Sequence, residues 1–451
     1  MNADRRSERL ELADLDRFIE LSRLVGLKQF GFSDIRARQD ERLTDDLRQR
    51  ALARIEDAQL IQAPGDSFFL GSVDYMVRES LDGQLGYTAL ETNGGSSRGL
   101  TLLSSPDVER LMAAFVEMLR FVDDAAPLIV IGFPVGDSLI TEKFLIIHRL
   151  KEAMELEQPG ARVNVLSLED FRVKRPLLEG EAVIVLAPHS QTALSLHVRD
   201  SRVYLLDRRV DMIIGDGAVA QHPRLGHQRA DVVLANWIFP VTGDKFSTYD
   251  AVERARDLVT PHGMVPIRFW RADSREELEE TCEKACSEVQ GLIIKPFRGS
   301  GGTGVLPVLP DSTVADVVED SLGEFRAKYG HAHNPFPYTV CEKINPRKAS
   351  WAGGHYNYDI RVYVAREGDT LAPAGCLFRL APKPDKGDNS KDSLIVNLSG
   401  YGGMAIERGL GLSSQSLDTV HLGEEDVARI FAASTVLLAA IARQPMDWSQ
   451  L

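Results

Sequence analysis

Cysteines and long apolar runs are scarce in this 451-residue sequence, and its 52 Lys and Arg are outnumbered by 66 Asp and Glu. Its four cysteines are too few for a disulfide framework, and their spacing is not that of a structural zinc site. No apolar run reaches the roughly eighteen residues of a membrane-spanning helix, and no apolar segment follows the charged N-terminus as in a signal peptide. The formal net charge of -14 disfavours nucleic-acid binding, which needs clustered Lys and Arg. We therefore expect a cytoplasmic protein that binds neither membranes nor nucleic acids.

Several well-known signatures are also absent around the one glycine-rich stretch, GLIIKPFRGSGGTGVLPVL at Gly291–Leu309. Its GSGGTG satisfies G-x-G-x-x-G, but Pro307 and Pro310 exclude the helix that must follow a dinucleotide-binding loop. A Walker loop needs a lysine after the glycines, whereas Lys295 precedes them. A protein-kinase loop needs HRD and DFG tripeptides elsewhere, and neither occurs.

This stretch predicts a strand, a glycine loop and a second strand. The β-branched Ile293, Ile294 and Val305 suit a pleated, half-buried surface, whereas the glycines between residues 299 and 304 leave the loop backbone open. Bare amides in such a loop can bind phosphate oxygens. The alternative is a glycine-rich hairpin with no ligand.

A second hairpin is predicted nearer the N-terminus, where two strand-like runs flank the turn signal Asp82-Gly83. A two-residue loop centred between them places Asp74 opposite Glu91, and Asn93 on the same face as Glu91 because strand side chains alternate. Opposed carboxylates destabilise a sheet unless a cation compensates, and hard oxygen ligands suit Mg2+. The alternatives are solvated strand charges, or a shifted register in which the carboxylates never meet.

Other segments have the periodicity of helices and buried strands. Residues 8–60 and 105–124 predict helices, and residues 127–236 alternate apolar strands with polar linkers and helices, which favours an α/β sheet. After Lys245 come a helix, the strand and loop of Lys295, a further helix and the strand YTVCEKI. The chain continues through D-I-R at 359–361, CLFRLAP, NLSGYGG and a final helix, EEDVARIFAASTVLLAAIAR.

A lysine on a strand followed by a glycine hairpin, with these motifs in this order, resembles the ATP-grasp superfamily. Its members clamp ATP between two α+β lobes and typically activate a carboxylate as an acyl phosphate. The resemblance implies an α/β (α+β) ATP-grasp fold with a pre-ATP-grasp α/β domain, and ATP and Mg2+ as cofactors. The residues implied to bind ATP are Lys245, Lys295, Gly299, Ser300, Gly301, Gly302, Thr303, Gly304 and the hinge residues Glu342, Lys343 and Ile344.

The resemblance also implies arginines around the transferred phosphate and the substrate carboxylate. Arginine suits this task because its planar fork grips oxygens in pairs while staying cationic. Arg361 and Arg379 are therefore the predicted electrophilic stabilisers, with Arg298 in the glycine loop as a third. A surface ion pair is the alternative for each of them.

The predicted metal hairpin lies at the opposite end of the chain from its place in an ordinary member of the family. Asp followed by Glu-x-Asn on the next strand is similar to the metal-binding hairpin that ends an ATP-grasp domain, so Asp74, Glu91 and Asn93 are the predicted metal ligands. Because the C-terminal helix has no such hairpin after it, we infer a circular permutation, which costs little when termini lie close together. One departure is Ser72, where many relatives have arginine.

The permutation implies three parts: residues 1–125 with the helices and metal hairpin, residues 126–240 as the pre-ATP-grasp domain, and residues 241–451 as the nucleotide-binding lobes. This layout is similar to the peptide ligases of pheganomycin-type antibiotic biosynthesis. It implies a carboxylate-amine ligase that joins a small-molecule acid to an amine or peptide, with a homodimer as a further expectation. The alternatives are an ATP-binding module whose chemistry has lapsed and a small-molecule kinase on the same lobes.

Overall fold

The structure is a computed structural model that describes residues 39–79, 84–94, 99–133, 140–158, 162–215, 230–297, 299, 301–387, 389–396, 399–400, 403–404 and 408–444. The predicted helical segment 8–38, the Asp82-Gly83 turn, Arg298, Ser300 and part of the NLSGYGG motif lie outside these residues. Within them, no helix is both long enough and apolar enough to cross a membrane.

Strands and helices are mixed throughout the described part of the chain. In chain order the strands are β1 (Leu70–Glu79), β2 (Leu85–Gly94), β3 (Leu128–Phe133), β4 (Val163–Ser167), β5 (Ala182–Pro188), β6 (Leu196–Arg199), β7 (Arg202–Leu205), β8 (Arg208–Arg209), β9 (Met212–Ile214), β10 (Val233–Leu234), β11 (Phe269–Ala272), β12 (Leu292–Pro296), β13 (Leu306–Val308), β14 (Tyr338–Glu342), β15 (Lys348–Trp351), β16 (Gly354–Glu367), β17 (Thr370–Leu380), β18 (Ser399–Gly400), β19 (Gly403–Met404) and β20 (Gly409–Gly411). The helices are α1 (Glu41–Ala53), α2 (Ser105–Glu117), α3 (Ile140–Glu157), α4 (Leu168–Lys174), α5 (His189–Ser195), α6 (Phe239–Thr242), α7 (Lys245–Arg254), α8 (Arg256–Val259), α9 (Arg275–Cys286), α10 (Val314–Tyr329), α11 (Lys391–Leu394), α12 (Ser414–Val420) and α13 (Glu424–Arg443). This architecture confirms the α/β (α+β) prediction.

The largest sheet joins the N-terminal hairpin to the C-terminal half of the chain. Its strands are antiparallel in the order β2-β1-β16-β17-β20, and β15 also pairs with β16. Asp74 lies opposite Glu91 in β2, as the sequence predicts, and opposite Arg361 in β16. An extra residue in β2, Leu90, shifts the register on the turn side of Asp74. The pairs nearest the turn therefore do not fit the predicted two-residue loop.

Helix α13 covers one face of this sheet and coincides with the predicted final helix. Its buried residues share one core with apolar side chains of β1, β16 and β17 and with Leu43 and Leu47 of α1. The backbone amide of Asp40, just before α1, donates to the carbonyl of Leu412 at 2.7 Å. The first and last described segments are therefore parts of one packed unit.

The middle of the chain forms a five-stranded parallel sheet in the order β10-β9-β3-β5-β4, with apolar cores on both faces. One expectation about these segments is wrong in detail. The SRVYLLD run is β7 of a separate antiparallel sheet with β6 and β8, and the short β9 lies inside the parallel sheet instead.

The end of the predicted N-terminal helix is also wrong. The helix does not reach residue 60 but ends at Ala53, and Asp57 then caps a 3-10 turn at Ala58–Ile61.

The glycine-rich stretch belongs to a third, four-stranded antiparallel sheet in the order β11-β14-β12-β13. Helices α9 and α10 pack their apolar sides against it and form a small core of their own. Strand β12, the glycine loop and β13 form an antiparallel hairpin, which confirms the predicted strand-loop-strand arrangement. The glycine loop thus connects two neighbouring strands of this sheet.

Candidate active site

Helix α7 brings a lysine between the N-terminal hairpin and the glycine loop. Asp244 caps the helix by accepting from the amides of the next turn, which places Lys245 at its first position. The Lys245 ammonium donates to the carbonyl of Gly299 at 3.2 Å and lies 3.7 Å from Oε2 of Glu91. The Lys245 side chain therefore lies between a predicted metal ligand and the predicted phosphate loop.

The second predicted lysine, Lys295, lies on β12 with only 8% of its surface exposed. Its ammonium donates to the hydroxyl of Tyr249 on α7, and no carboxylate of a described residue lies within 4.0 Å of Nζ. A buried charge without a counter-ion is costly, because water no longer solvates it. An anionic ligand beside Lys295 would offset that cost.

Helix α10 holds the second half of the glycine loop. The Gly304 amide donates to Glu324 at 2.8 Å, and its carbonyl accepts from the hydroxyl of Ser321 at 2.6 Å. Lys328 on the same helix donates to the Thr303 hydroxyl at 3.1 Å. The Gly304 amide is consequently engaged by a carboxylate, so a phosphate that bound there would have to displace it. Arg298 and Ser300 lie outside the described residues, and their predicted roles stay predictions.

The predicted hinge residues lie at the end of β14, but two of them are engaged within the protein. Glu342 accepts from Arg78 of β1 at 3.2 Å, so a ribose hydroxyl would have to compete with that ion pair. The amides of Glu342 and Lys343 donate to the carbonyls of Arg268 and Gly291. Burial lowers the pKa of the Lys343 amine.

Ile344 differs from the other two predicted hinge residues in its backbone contacts. In the described part of the chain its amide makes no hydrogen bond, unlike those of the two residues before it. Its side chain belongs to a small apolar cluster that lies next to Lys295 through their common neighbour Tyr249. The members of this cluster are Tyr249, Ile267 and Cys341, with the half-buried Phe269, Ile293 and Ile344 packed against them.

The two predicted catalytic arginines are held by two aspartates on the same sheet face. Arg361 grips Asp74 through two parallel bonds of 2.7 Å each. Arg379 donates to the same carboxylate at 2.7 Å and grips Asp359 through bonds of 2.6 and 2.5 Å. The sequence predicted a divalent cation as the compensator of Asp74, whereas in this structure the arginines compensate it.

Burial and charge act on these carboxyl groups in opposite directions. Burial by itself raises the pKa of Asp74, but Arg361 and Arg379 outweigh it and hold that pKa well below its usual range. Burial raises the pKa of Asp359 to about 6, with Arg379 opposing the shift and Asp74 adding to it. Both groups are therefore ionised at neutral pH, and the two carboxylates balance the two guanidinium charges.

The other two predicted metal ligands retain capacity for a cation. The Glu91 side chain is 34% exposed and meets Lys245 and Arg361 only at 3.7 and 3.8 Å. Nδ2 of Asn93 is buried without a hydrogen-bond partner among the described residues, so none of them holds the amide through its nitrogen, and the amide oxygen is the atom that could bind a cation. No group of three or more His, Cys, Asp and Glu side chains converges in the described part, yet Mg2+ typically needs one or two carboxylates besides water and phosphate oxygens. Glu91 and Asn93 fit that requirement, whereas Asp74 would first have to loosen its arginines.

The fold thus brings most predicted site residues into one region and adds three that the sequence reading missed. Tyr249 and Glu324 hold Lys295 and the glycine loop, and Asp359 holds Arg379. Strand alternation could have identified Asp359, because it is two residues from Arg361 and so faces the same way. Helical spacing could have identified Tyr249, one turn after Lys245.

No family model and no curated protein matches the chain. Among solved structures it is similar to a Methylobacillus flagellatus KT protein assigned as a gamma-glutamylcysteine synthetase, with 14% identity and a TM-score of 0.44 over 92% of this chain and 96% of that one. It is also similar to a glutathione synthetase-like effector from Globodera pallida, with 12% identity and a TM-score of 0.40 over 81% and 84% of the two chains. The VanG D-Ala:D-Ser ligase from Enterococcus faecalis gives 11% identity and a TM-score of 0.36 over 70% and 83%. All three TM-scores lie below 0.5, so the functional assignment depends on the geometry of the site.

Proposed function

We propose that this chain is an ATP- and Mg2+-dependent carboxylate-amine ligase with a circularly permuted ATP-grasp fold. The observation that carries the proposal is the position of Lys245, which is 3.7 Å from Glu91 and 3.2 Å from the Gly299 carbonyl. Lys295, a buried ammonium without a described carboxylate partner, contacts Tyr249, which lies one helical turn after Lys245 on α7. Hard oxygen ligands, two lysines and a glycine loop in one place suit a metal-bound triphosphate better than any other common ligand.

The sheet topology supports the permutation. Strand β1 lies between β2 and β16, so residues 70–94 complete a sheet whose other strands come from residues 348–411. On this proposal the chain divides at about residues 125 and 240, with the parallel sheet of the middle part as the pre-ATP-grasp domain. Its first and last parts then form the nucleotide-binding lobes together.

The proposed reaction has two steps on the substrate carboxylate. One carboxylate oxygen forms a bond to the γ-phosphorus of ATP as the bond to the β-γ bridging oxygen breaks, which yields an acyl phosphate and ADP. The amine nitrogen then bonds to the acyl carbon, phosphate leaves with the carbon-oxygen bond electrons, and the amine loses a proton. No protein nucleophile is needed, so catalysis comes from positioned charge.

The chain's own cations would supply that charge. Lys245 and Lys295 bind the phosphates, and Arg379 is suited to the transferred group because Asp359 fixes two of its nitrogens while Nη1 makes no hydrogen bond to any described residue. Glu91 and Asn93, joined by Asp74 if Arg361 and Arg379 release it, would hold Mg2+. The metal would supply charge neutralisation of the phosphate oxygens.

The narrower part of the proposal is a peptide ligase of the pheganomycin type, acting in antibiotic biosynthesis. Its partners would be a small carboxylic or amino acid and the amine of a peptide, and it would work as a homodimer. Layout alone supports this part. Acid and amine specificity would come from the middle domain and the polar segment 381–395.

Product analysis tests the reaction class. We expect ADP and phosphate to appear only when both a carboxylate and an amine are present, and Lys245→Met to abolish their release. Lys151→Met is the matched control, because Lys151 only approaches Glu155 on the surface of α3 at 3.8 Å. Release of AMP and pyrophosphate would exclude an acyl phosphate, and a stable phosphorylated product without amine would indicate a kinase.

One observation favours a second candidate, an ATP-binding module that does no chemistry. Both oxygens of Asp74 are engaged by Arg361 and Arg379, as in a structural ion-pair network. On that account a non-hydrolysable ATP analogue binds equally well with and without Mg2+, and Glu91→Gln leaves its affinity unchanged. The ligase proposal requires that the removal of Mg2+ and the Glu91→Gln substitution each weaken binding of the analogue.

A further inference from the structure

We infer that Tyr249 is a positioning residue that holds the Lys295 ammonium at the place where it meets nucleotide phosphates. This inference rests on the proposed ATP-dependent function. Tyr249 is 3% exposed, its hydroxyl accepts from Nζ of Lys295, and the same ammonium lies 5.1 Å from the centre of its ring. The contact joins two side chains of the protein, so the chain itself can orient the lysine.

A thiol accepts the hydrogen of the Tyr249 hydroxyl and so decides the direction in which this hydroxyl donates. The Tyr249 O–H donates to Sγ of Cys341 on β14 at 3.9 Å, and Cys341 is 2% exposed. Since a tyrosine hydroxyl has a single hydrogen to donate, its lone pairs remain for the ammonium of Lys295. Burial, reinforced by Cys341 and Glu91, raises the pKa of Tyr249 well above its ordinary value, so the hydroxyl stays neutral.

The contact also sets the two lysines relative to each other. Lys245 and Tyr249 are four residues apart on α7 and so project from one side of that helix. Between them, the hydroxyl of Thr248 lies 2.9 Å from that of Thr92 on β2, which ties the helix to the N-terminal hairpin. A single helix therefore places Lys245 directly and Lys295 through Tyr249.

A hydrogen bond that holds the ammonium in place has a clear physical benefit for a lysine. Its four-carbon stem is flexible, and fixing it costs rotamer entropy. Tyr249 fixes the ammonium with one of its three N–H donors, which leaves two for phosphate oxygens. The nucleotide then binds a site that is already ordered.

The test is Tyr249→Phe, which removes the hydroxyl but keeps the ring that packs against Phe269. We expect the dissociation constant of the non-hydrolysable analogue AMP-PNP with Mg2+ to rise about tenfold, the factor given by the loss of roughly one charge-assisted hydrogen bond. In turnover assays the KM for ATP should rise by a similar factor with a smaller change in kcat, as expected when ground-state binding is weakened. Tyr358→Phe is the matched control, because it removes an equally buried hydroxyl that donates to Val420 in the core under the sheet.

A second series shows whether Tyr249 acts through Lys295. In a Lys295→Met background the Tyr249→Phe change should have no further effect on AMP-PNP affinity. Cys341→Ala should weaken AMP-PNP binding by a smaller factor than Tyr249→Phe, and Cys341→Ser, which keeps an acceptor, should bind as the wild type does. These thiol variants keep the inference testable if Tyr249→Phe does not fold.

The possible failures are distinct. A wild-type protein that does not bind AMP-PNP would overturn the proposed function and, with it, the basis of this inference. Normal wild-type binding with unchanged affinity in Tyr249→Phe would overturn the positioning role alone. Equal losses in the presence and absence of Lys295, or in Cys341→Ala and Cys341→Ser, would also contradict it.

Discussion

Two lysines that flank the glycine loop have different electrostatic surroundings. Lys245 is partly exposed and has Glu91 at 3.7 Å, whereas Lys295 is buried beside the neutral Tyr249. A buried cation without a counter-ion lowers the stability of the ligand-free protein, and it is retained where a ligand supplies the missing charge. This difference separates their roles experimentally.

We predict that Lys295→Met stabilises the ligand-free protein while it weakens nucleotide binding. Replacing the ammonium by an apolar chain of similar volume should raise the free energy of unfolding by about 1 kcal/mol, because desolvation of the charge is no longer required. AMP-PNP affinity should fall at least tenfold, since charge-assisted bonds to phosphate are lost. Denaturant unfolding and ligand titration measure the two effects.

Lys245→Met provides the comparison for that prediction. It should weaken AMP-PNP binding as well, but without a gain in stability, because Lys245 has solvent and Glu91 nearby. A Lys295→Met protein that is less stable than the wild type and binds AMP-PNP normally would show that Lys295 is a structural residue.

Asp107 on α2 is a buried carboxylate away from the candidate site. Its Oδ1 accepts from Arg110 at 2.5 Å, but its Oδ2 is buried without a hydrogen-bond partner in the described part of the chain. Burial raises the pKa of Asp107 to about 6. The hydrogen bond with Ser104 and the ion pair with Arg110 act in the other direction but do not outweigh burial.

The raised pKa gives stability a defined pH dependence. Because the folded state holds the proton more tightly than the unfolded state, Asp107 contributes stability below about pH 4, and this contribution is lost as pH rises to about 6. Asp107→Asn should remove the loss, so the difference in unfolding free energy between variant and wild type should grow by about 1 to 3 kcal/mol between pH 4 and 7. A pH-independent difference for Asp107→Asn would contradict the raised pKa.

At the scale of elements, the glycine loop is held between α10 and the segment that contains α11. Gly302 has a φ of 74°, and a Cβ built there would lie 2.6 Å from Cγ2 of Ile395. The left-handed backbone and the close side chain both require glycine. The loop conformation is thus decided jointly by its own sequence and by a segment far along the chain.

Gly302→Ala should therefore weaken nucleotide binding, because the loop would have to take up a strained conformation in order to bind. Strain of about 1 to 2 kcal/mol in the loop corresponds to roughly five- to thirtyfold lower AMP-PNP affinity. Adding Ile395→Ala should restore only the steric part of the loss, since the backbone strain remains. An affinity equal to wild type in Gly302→Ala would mean that the loop does not contact the ligand.

Gly323 in the middle of α10 is the matched control for that substitution. No atom lies within 4 Å of a Cβ built there, and the residue is helical. Gly323→Ala should raise the free energy of unfolding by about 0.5 to 1 kcal/mol and leave AMP-PNP affinity unchanged.

At the scale of the whole molecule, the two ends of the described chain form one sheet and one core. The Arg443 side chain at the end of α13 donates to the carbonyls of Gln59 and Leu60 at 2.5 and 2.9 Å. Asp74 and its partner Arg361 are 287 residues apart in the sequence. The candidate site therefore depends on an N-terminal segment joining C-terminal strands.

A rearranged chain tests this organisation. We expect a protein that runs from Ala125 to Leu451 and then, through a flexible linker, from Met1 to Asp124 to fold with an unfolding free energy within about 2 kcal/mol of wild type. The new ends lie in an exposed loop, and every sheet keeps its strands. AMP-PNP affinity should stay within a few-fold.

Deleting residues 1–124 gives the contrasting result. The truncated chain loses Asp74, Glu91 and two strands of the largest sheet, so we expect neither a cooperative unfolding transition nor AMP-PNP binding. A truncated chain that binds AMP-PNP as the wild type does would place the nucleotide site wholly within the C-terminal part.

Local patterns in the sequence were sufficient for the features that depend on neighbouring residues. Apolar periodicity determined helix α13, β-branched runs around glycines determined the hairpin of Lys295, and a turn signal placed Asp74 opposite Glu91. They were insufficient for β9 and the end of α1. A three-residue strand has too few residues to carry a pattern, and its identity comes from the sheet that receives it.

Tertiary structure alone decided which groups neutralise one another. The sequence predicted which charged residues belong to the candidate site, because carboxylates, lysines and arginines occur in recognisable local contexts. It could not indicate that Asp74 is held by Arg361 and Arg379, or that Tyr249 holds Lys295, since these partners lie on separate strands and helices. Backbone preference acts over a few residues, whereas pairing between distant side chains depends on how the sheets and helices pack, and that packing exists only in the folded chain.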